Sequence, residues 1–395
     1  MSVEREFIAE ATAFAADAAG RYSGMMSGSS GRIALFPDLT PAEEAEELRL
    51  ARQWRAERLD AGFGWLSGPP EYGGRGLSLQ HERAYLQIER QHRFPRQRLF
   101  DVGLGMVAPM IEDFGTDVAK KDYLTALHRG DIVGCQLFSE PGAGSDLAGM
   151  TTRAVRDGDR WLVNGQKVWS SGAHLSDVGI LAARTGPADA RHHNLTVFVL
   201  PLSAAGVTVR PIRQMTGGSS FNEVFFEDVL IDRQLLLGEV DRGWEVVLST
   251  LAHERAAVGG PQAGGNGVLR TGRLAALLER HGRLPDGAVR DELMRLHCSL
   301  TAARLTRQRA DANRRAGQRP GPEMSVGKLA LTTNLAAVSR LAGLALGPRL
   351  IADTGEPDAF AWAEFVLGVP GLRIGGGTDE IQRNILAERV LGLPR

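Results

Sequence analysis

Apolar and polar positions alternate at helical spacing over residues 41–59 (PAEEAEELRLARQWRAERL). Thr40 and Pro41 supply an N-cap and a first helical residue, so a helix is predicted there. Residues 81–90 and 117–128 carry the same period, and PPEYGGRG (69–76), between 41–59 and 81–90, reads as a Pro/Gly loop. From about residue 130 to 238 the period changes. Trp161–Trp169 holds two short β-prone runs around Asn164-Gly165, which predicts a hairpin, because Asn and Gly tolerate the positive φ of a type I′ turn. NLTVFVL (194–200), GVTVRPI (206–212) and EVFFEDVLI (223–231) are further strand candidates. After Gly243 the helical period returns, with Trp244, Val247, Leu248, Leu251 and Val258 on one stripe. Helices are also expected over 286–317 and 324–353, joined by a loop at 318–323. Helices, then strands, then helices argue for an α+β class with segregated layers. The expected division is 1–128 helical, 129–238 β and 239–395 helical.

The composition narrows the partners. With 46 basic and 47 acidic residues among 395, the net charge is −1, which offers no electrostatic footprint for nucleic acid or an anionic membrane surface. No apolar run approaches the roughly 18–20 residues of a membrane span. Only Lys120, Lys121, Lys167 and Lys328 are lysines; the other 42 basic residues are Arg, a bias that a GC-rich genome would produce. Cys135 and Cys298 form no disulfide framework and no metal-ligand spacing, and the start MSVEREFIAE lacks an apolar leader core. A cytoplasmic protein is expected. The histidines do not cluster, so no metal site is expected.

Four segments carry candidate chemistry. In Phe138-Ser139-Glu140-Pro141-Gly142-Ala143-Gly144-Ser145-Asp146 the glycines allow a sharp turn and close approach to a ligand, and the serines offer hydroxyls. An ordinary Gly/Pro surface turn has the same composition. The segment is neither a P-loop nor a dinucleotide fingerprint. Trp169-Ser170-Ser171-Gly172 sets an indole beside two hydroxyls at a strand end, suited to an aromatic ring with polar edges; a core Trp is the alternative. Glu254, before Arg255, sits three residues after Leu251 and seven after Val247, on the apolar stripe. Lost hydration would raise its pKa toward that of a general base, and an ion pair with a nearby Arg is the alternative. Gly375-Gly376-Gly377 leads into a helix capped by Thr378 or Asp379, with Gln382 completing a box from Asp379. Asp379 and Glu380 already complement the helix dipole, so that end suits a carbonyl or hydroxyl better than a phosphate.

Together these segments resemble the acyl-CoA dehydrogenase family. FSEPGAGSD (138–146), NGQKVWSSG (164–172), GGGTDEIQRNILAERVLGLP (375–394) and PPEYGGRG (69–76) stand in the family's order and spacing, nearly end to end. The resemblance implies an N-terminal helical domain, a β domain and a C-terminal four-helix bundle, with FAD between the last two. Gln136, Phe138, Ser139, Gly144, Ser145, Trp169 and Ser171 would surround the flavin, and Thr378 and Glu380 would touch it from the last helix. Arg280 matches the position that reaches the FAD pyrophosphate of a neighbouring subunit, which implies a homodimer or homotetramer.

The implied reaction is α,β-dehydrogenation of an acyl thioester, carried by CoA or by an acyl carrier protein. Electron-transfer flavoprotein is the implied acceptor. Many members place the catalytic Glu just before the Gly-Thr of the last motif, where this chain has Gly376. A second lineage, similar to isovaleryl-CoA dehydrogenase, uses a bundle-helix Glu before an Arg, which matches Glu254-Arg255. Glu254 is then the base, the Gly376 N–H a donor to the thioester carbonyl, and Ser145 and Arg255 face the substrate. Two segments depart from the family: Arg280-His281-Gly282-Arg283-Leu284 replaces Arg-x-x-Phe-Gly, and Leu341–Leu346 replaces Gln-x-x-Gly-Gly. A hetero-oligomer, with this chain even as a silent subunit, and a flavin monooxygenase or oxidase on the same fold are the competing readings.

Overall fold

A computed structural model describes residues 4–25, 33–258, 268–315, 321, 324–356 and 358–394. The chain separates into two compact units. One comprises Met1–Gly28, Leu39–Ile212 and Ser219–Thr250; the other comprises Ser29–Asp38, Arg213–Gly218 and Leu251–Arg395.

The first unit opens with helices α1 (Arg5–Tyr22), α2 (Pro41–Asp60), α3 (Leu79–Glu89), α4 (Ala108–Phe114) and α5 (Asp117–Arg129). The predicted start of α2 is a full capping box: Thr40 accepts from the Glu43 N–H, and Glu43 reaches back to the Thr40 N–H. Aromatic packing joins this layer, with Trp54 stacked on Phe94 at 4.0 Å and Phe63 on Tyr85 at 5.0 Å.

The sheet follows: β1 (Gly134–Leu137), β2 (Arg153–Asp157), β3 (Arg160–Ser171), β4 (Val178–Arg184), β5 (Leu195–Pro201), β6 (Val207–Ile212), β7 (Phe221–Asp232) and β8 (Leu236–Leu237). Its order is β6-β7-β3-β2-β4-β5-β8, with β1 parallel to β4. Alternate residues of β3, β5 and β7, among them Trp161, Val163, Phe198, Val224 and Val229, build the core beneath it.

The hairpin predicted at Asn164-Gly165 is not there. Both residues lie inside β3, and the tight turn comes earlier, where Asp157 pairs with Arg160 and Gly158 takes φ 60°. Gly165 has a different purpose: a Cβ on it would meet Thr152 Oγ1 at 2.5 Å. Asn164 exchanges two 2.9 Å hydrogen bonds with Asp228 on β7, which anchors a bulge rather than a turn.

Helix α6 (Gly243–Val258) leaves the sheet region. The second unit then holds α7 (Thr271–Arg280), α8 (Gly287–Arg315), α9 (Met324–Leu346), α10 (Ala363–Ile374) and α11 (Asp379–Arg389). The core stripe of α9 runs through Leu331, Leu335, Val338, Leu341 and Ala342. Met324–Leu350 is long and apolar enough to cross a membrane by composition, yet 56% of its most apolar window is buried inside the protein. Its apolarity is that of a core helix. The helix predicted to residue 353 ends at Leu346, because Gly347 takes φ 52° and Pro348 follows it.

Candidate active site

The motif 138–146 follows directly from β1. Glu140 and Ala143 exchange backbone hydrogen bonds of 3.0 Å, which closes a turn over Pro141-Gly142. This turn is not a loose surface loop. The buried Glu140 carboxylate accepts from the Thr151 N–H (2.6 Å), the Thr151 hydroxyl (2.8 Å) and the Thr152 N–H (2.9 Å). Lys167 Nζ, fully buried on β3, donates to Glu140 Oε1 at 2.8 Å and to the Phe138 carbonyl at 2.9 Å. The Val168 N–H donates to the Ser139 carbonyl at 2.9 Å. Two motifs separated in sequence are thereby stitched together from beneath, while Gly142, Gly144, Ser145 and Asp146 remain exposed above.

The stitch also turns Trp169 outward. β3 slips its register against β7 between Lys167 and Ser170, and Trp169 takes φ 62°, a left-handed conformation rare for a bulky residue. Its side chain is 59% exposed, with Phe221 edge-on at 6.1 Å. A core Trp is therefore ruled out. Ser171 is half-buried beside it, and the buried Ser170 Oγ has no hydrogen-bond partner among the described residues.

Burial would raise the Glu140 carboxyl, but the Lys167 ammonium and the bonds from Thr151 and Thr152 outweigh it and hold its pKa at about 2, below the ordinary 4.5. A depressed carboxyl stabilises the fold above its unfolded pKa, and that stability is lost as pH falls through the folded value. Acidification from pH 5 to 2 should thus remove about 3 kcal/mol through this group. Urea unfolding followed across that window for wild type and Glu140→Gln checks it: the acid loss should be smaller in the variant.

The second unit carries the glycine turn. Gly376 and Gly377 take φ 69° and 81°. Thr378 caps α11, its Oγ1 accepting from the Ile381 N–H. The predicted box from Asp379 to Gln382 does not form. Asp379 is buried and accepts from Thr332 Oγ1 (2.8 Å), Arg373 Nε (2.8 Å) and the buried Lys328 Nζ (3.3 Å). Burial raises its carboxyl, but these three donors together keep it below the usual carboxylate range. Gln382 points its amide back at the turn instead. Glu380 is exposed.

Glu254 lies half-buried on α6, and the Arg255 side chain falls outside the described residues. Arg280 ends α7 in an ion pair with Asp358, which His281 Nε2 also approaches at 3.2 Å. The structure thus gathers Gln136, Phe138, Ser139, Gly144, Ser145, Trp169 and Ser171 in the first unit. Glu254, Arg280, Gly376, Thr378 and Glu380 belong to the second. Sequence reasoning missed the supporting roles of Glu140, Lys167, Asp379, Lys328 and Gln382, which hold these segments in place.

The first-unit set fits a flavin. A Cβ at Gly142 or Gly144 would find no atom within 4 Å, so nothing crowds an approaching ring or chain. An outward indole face, an orphaned buried hydroxyl and the serines nearby match a planar ring with polar edges.

Comparison with known proteins shows the family. Residues 35–131, 135–229 and 241–391 match the N-terminal, middle and C-terminal domains of acyl-CoA dehydrogenase. The chain is 37% identical over 359 residues to acyl-CoA dehydrogenase IpdE1 of Mycobacterium tuberculosis, covering 90% of this chain and 91% of that protein. Among solved structures it is similar to the Tcur3481-Tcur3483 steroid ACAD (TM-score 0.77, 27% identity, all of both chains). It is also similar to the ChsE4-ChsE5 complex from M. tuberculosis (TM-score 0.74, 28% identity, 100% of this chain and 99% of that one).

Proposed function

The chain belongs to the acyl-CoA dehydrogenase family of flavin-dependent oxidoreductases, and on that premise we propose that it holds FAD and converts an acyl-CoA to its trans-2-enoyl thioester. What carries this reading is the stitched cradle, in which the Glu140–Lys167 pair and the Val168–Ser139 bond present Trp169 and the 142–146 loop together. Ser139, Gly144, Ser145, Trp169 and Ser171 would hold FAD, together with Gln136 and Phe138; by the family resemblance Thr378 and Glu380 would touch the cofactor, and Arg280 would reach that of a neighbouring subunit. Bound FAD supplies the acceptor for the two electrons that leave with the β-hydrogen.

The chain's own residues do the rest. Gly376 brings no carboxylate to the turn before α11, so a base must come from elsewhere, and Glu254 is the half-buried carboxylate at the family's alternative position. It would take the α-proton as general base. Charge then develops on the thioester oxygen, and a main-chain N–H at Gly376 would stabilise it. Ser145 and Arg255 would bind the thioester's carrier portion.

With no carboxylate side chain at Gly376, a bulky or branched acyl group is the proposed substrate class; a similar solved protein is titled a steroid ACAD. Electron-transfer flavoprotein is the proposed acceptor. A second chain as partner is supported by the ChsE4-ChsE5 complex among the similar structures.

The test is the visible spectrum of the purified chain expressed alone, followed by anaerobic mixing with a panel of acyl-CoA thioesters. Flavin bands that bleach with a thioester are the expected result. A protein that stays colourless on its own and after mixing with FAD would redirect the proposal to a two-chain enzyme. Flavin that no thioester bleaches would overturn it.

A further inference from the structure

Gln382 is fully buried one turn into α11. Its Nε2 donates to the Gly376 carbonyl at 2.8 Å and to the Gly377 carbonyl at 3.3 Å, so one side-chain amide grips two successive peptides. In a trans peptide the N–H points opposite the C=O. The two bonds therefore turn the Gly377 and Thr378 N–H groups away from Gln382. A Cβ on Gly377 would lie 2.7 Å from Nε2, so the amide and the turn fit only while that residue is glycine.

The grip matters because of what it holds. Gly376 and Gly377 are both at positive φ, and a glycine pair has little intrinsic preference among peptide orientations. The start of α11 is fixed separately, by the Thr378 cap and by Asp379 bonded to Lys328, Thr332 and Arg373. Those contacts secure the helix; Gln382 is bonded by its side chain to the carbonyls of the turn itself. A donor array for a developing oxyanion is effective in proportion to its preorganisation.

We propose that Gln382 is a positioning residue for the reaction: by holding the Gly376 and Gly377 carbonyls it fixes the peptide planes of the turn, so that main-chain N–H groups face an acyl thioester carbonyl. This rests on the dehydrogenase reading above; Gln382 directly orients the Gly377 and Thr378 N–H groups, and it acts on the Gly376 N–H, which lies on the preceding peptide, only through the adjoining plane that it holds.

The test uses the flavin-loaded protein with 3-phenylpropanoyl-CoA as substrate and its unsaturated product, cinnamoyl-CoA, as a chromophore. The bound chromophore shifts to longer wavelength when its carbonyl is polarised. Gln382→Met keeps the volume and removes the donor, and Gly377→Ala presses on the same bond from the opposite side. Both should lower kcat by about 10–100-fold with little change in KM, since the interaction strengthens only in the transition state. Both should also shrink the cinnamoyl-CoA shift. Leu335→Ala, in the core of the same unit, serves as a control that loses stability while keeping kcat and the shift. Should Gln382→Met fail to fold, Gly377→Ala carries the test alone. Variants that behave like Leu335→Ala overturn the assignment while leaving the dehydrogenase reading intact. Wild-type protein that holds flavin yet bleaches with no thioester overturns both.

Discussion

Glu254→Gln should retain its flavin and lose acyl-CoA-dependent bleaching by about 10²–10⁴-fold, the range that a positioned general base contributes. The variant keeps the side chain's size and hydrogen-bonding capacity but cannot accept the α-proton. Rapid mixing under anaerobic conditions reads the loss directly, and the flavin spectrum of the same sample shows that the cofactor site is intact. The complementary variant, Gly376→Glu, places a carboxylate at the other family position. Its activity in a Glu254→Gln background would show whether either carboxylate can serve. Bleaching by Glu254→Gln at the wild-type rate would remove Glu254 from the mechanism and return attention to the oxidase and silent-subunit alternatives.

The largest stability effect is expected at Lys167. Lys167→Met strands the Glu140 carboxylate and the Phe138 carbonyl in a site where both are buried. Breaking a buried ion pair from one side costs about 3–5 kcal/mol, far more than a surface pair is worth. The double variant Glu140→Gln/Lys167→Met removes both charges and should recover a substantial part of that loss. Thermal unfolding of the three proteins measures the coupling. Because the pair underlies the 138–146 turn, Lys167→Met should also release flavin more readily on dilution. A single variant as stable as wild type would mean that the pair is dispensable to the cradle.

Much of the architecture was legible because its signals are local. Thr40-Pro41 marks the start of α2 and the runs at 194–200 and 223–231 mark β5 and β7, with no tertiary information required. Asn164-Gly165 misled because two causes produce the same dipeptide. A type I′ turn needs residues that tolerate positive φ, and so does a bulge pressed against Thr152. The choice between them depends on the pairing with β7 and on the approach of Thr152, neither of which periodicity can see. The motif residues of the cradle were legible as a string, but their support was not. Glu140 read as one more polar residue in a turn, and Asp379 as a charge complementing a helix dipole; each proves to be the centre of a buried network.

One signal in the sequence did point to that support. In a chain that uses Arg almost throughout, Lys167 and Lys328 stand as exceptions, and both are fully buried against carboxylates. An ammonium is a compact charge that can donate to a carboxylate and a carbonyl at once, whereas a guanidinium is a wide planar fork. The residue type at those two positions is a matter of available space.

The same distribution shapes how a partner chain can be found. Lys167 and Lys328 are sealed, which leaves Lys120 and Lys121, both on α5, as the lysine side chains that an amine-reactive cross-linker can reach. Mass spectrometry of a cross-linked complex would return contacts near α5 and none from the helices of the second unit, whatever actually docks there. An empty map of that unit would be a property of the reagent. Carboxylate-directed or photoactivated chemistry is the appropriate choice for locating a second subunit or an electron acceptor on this protein.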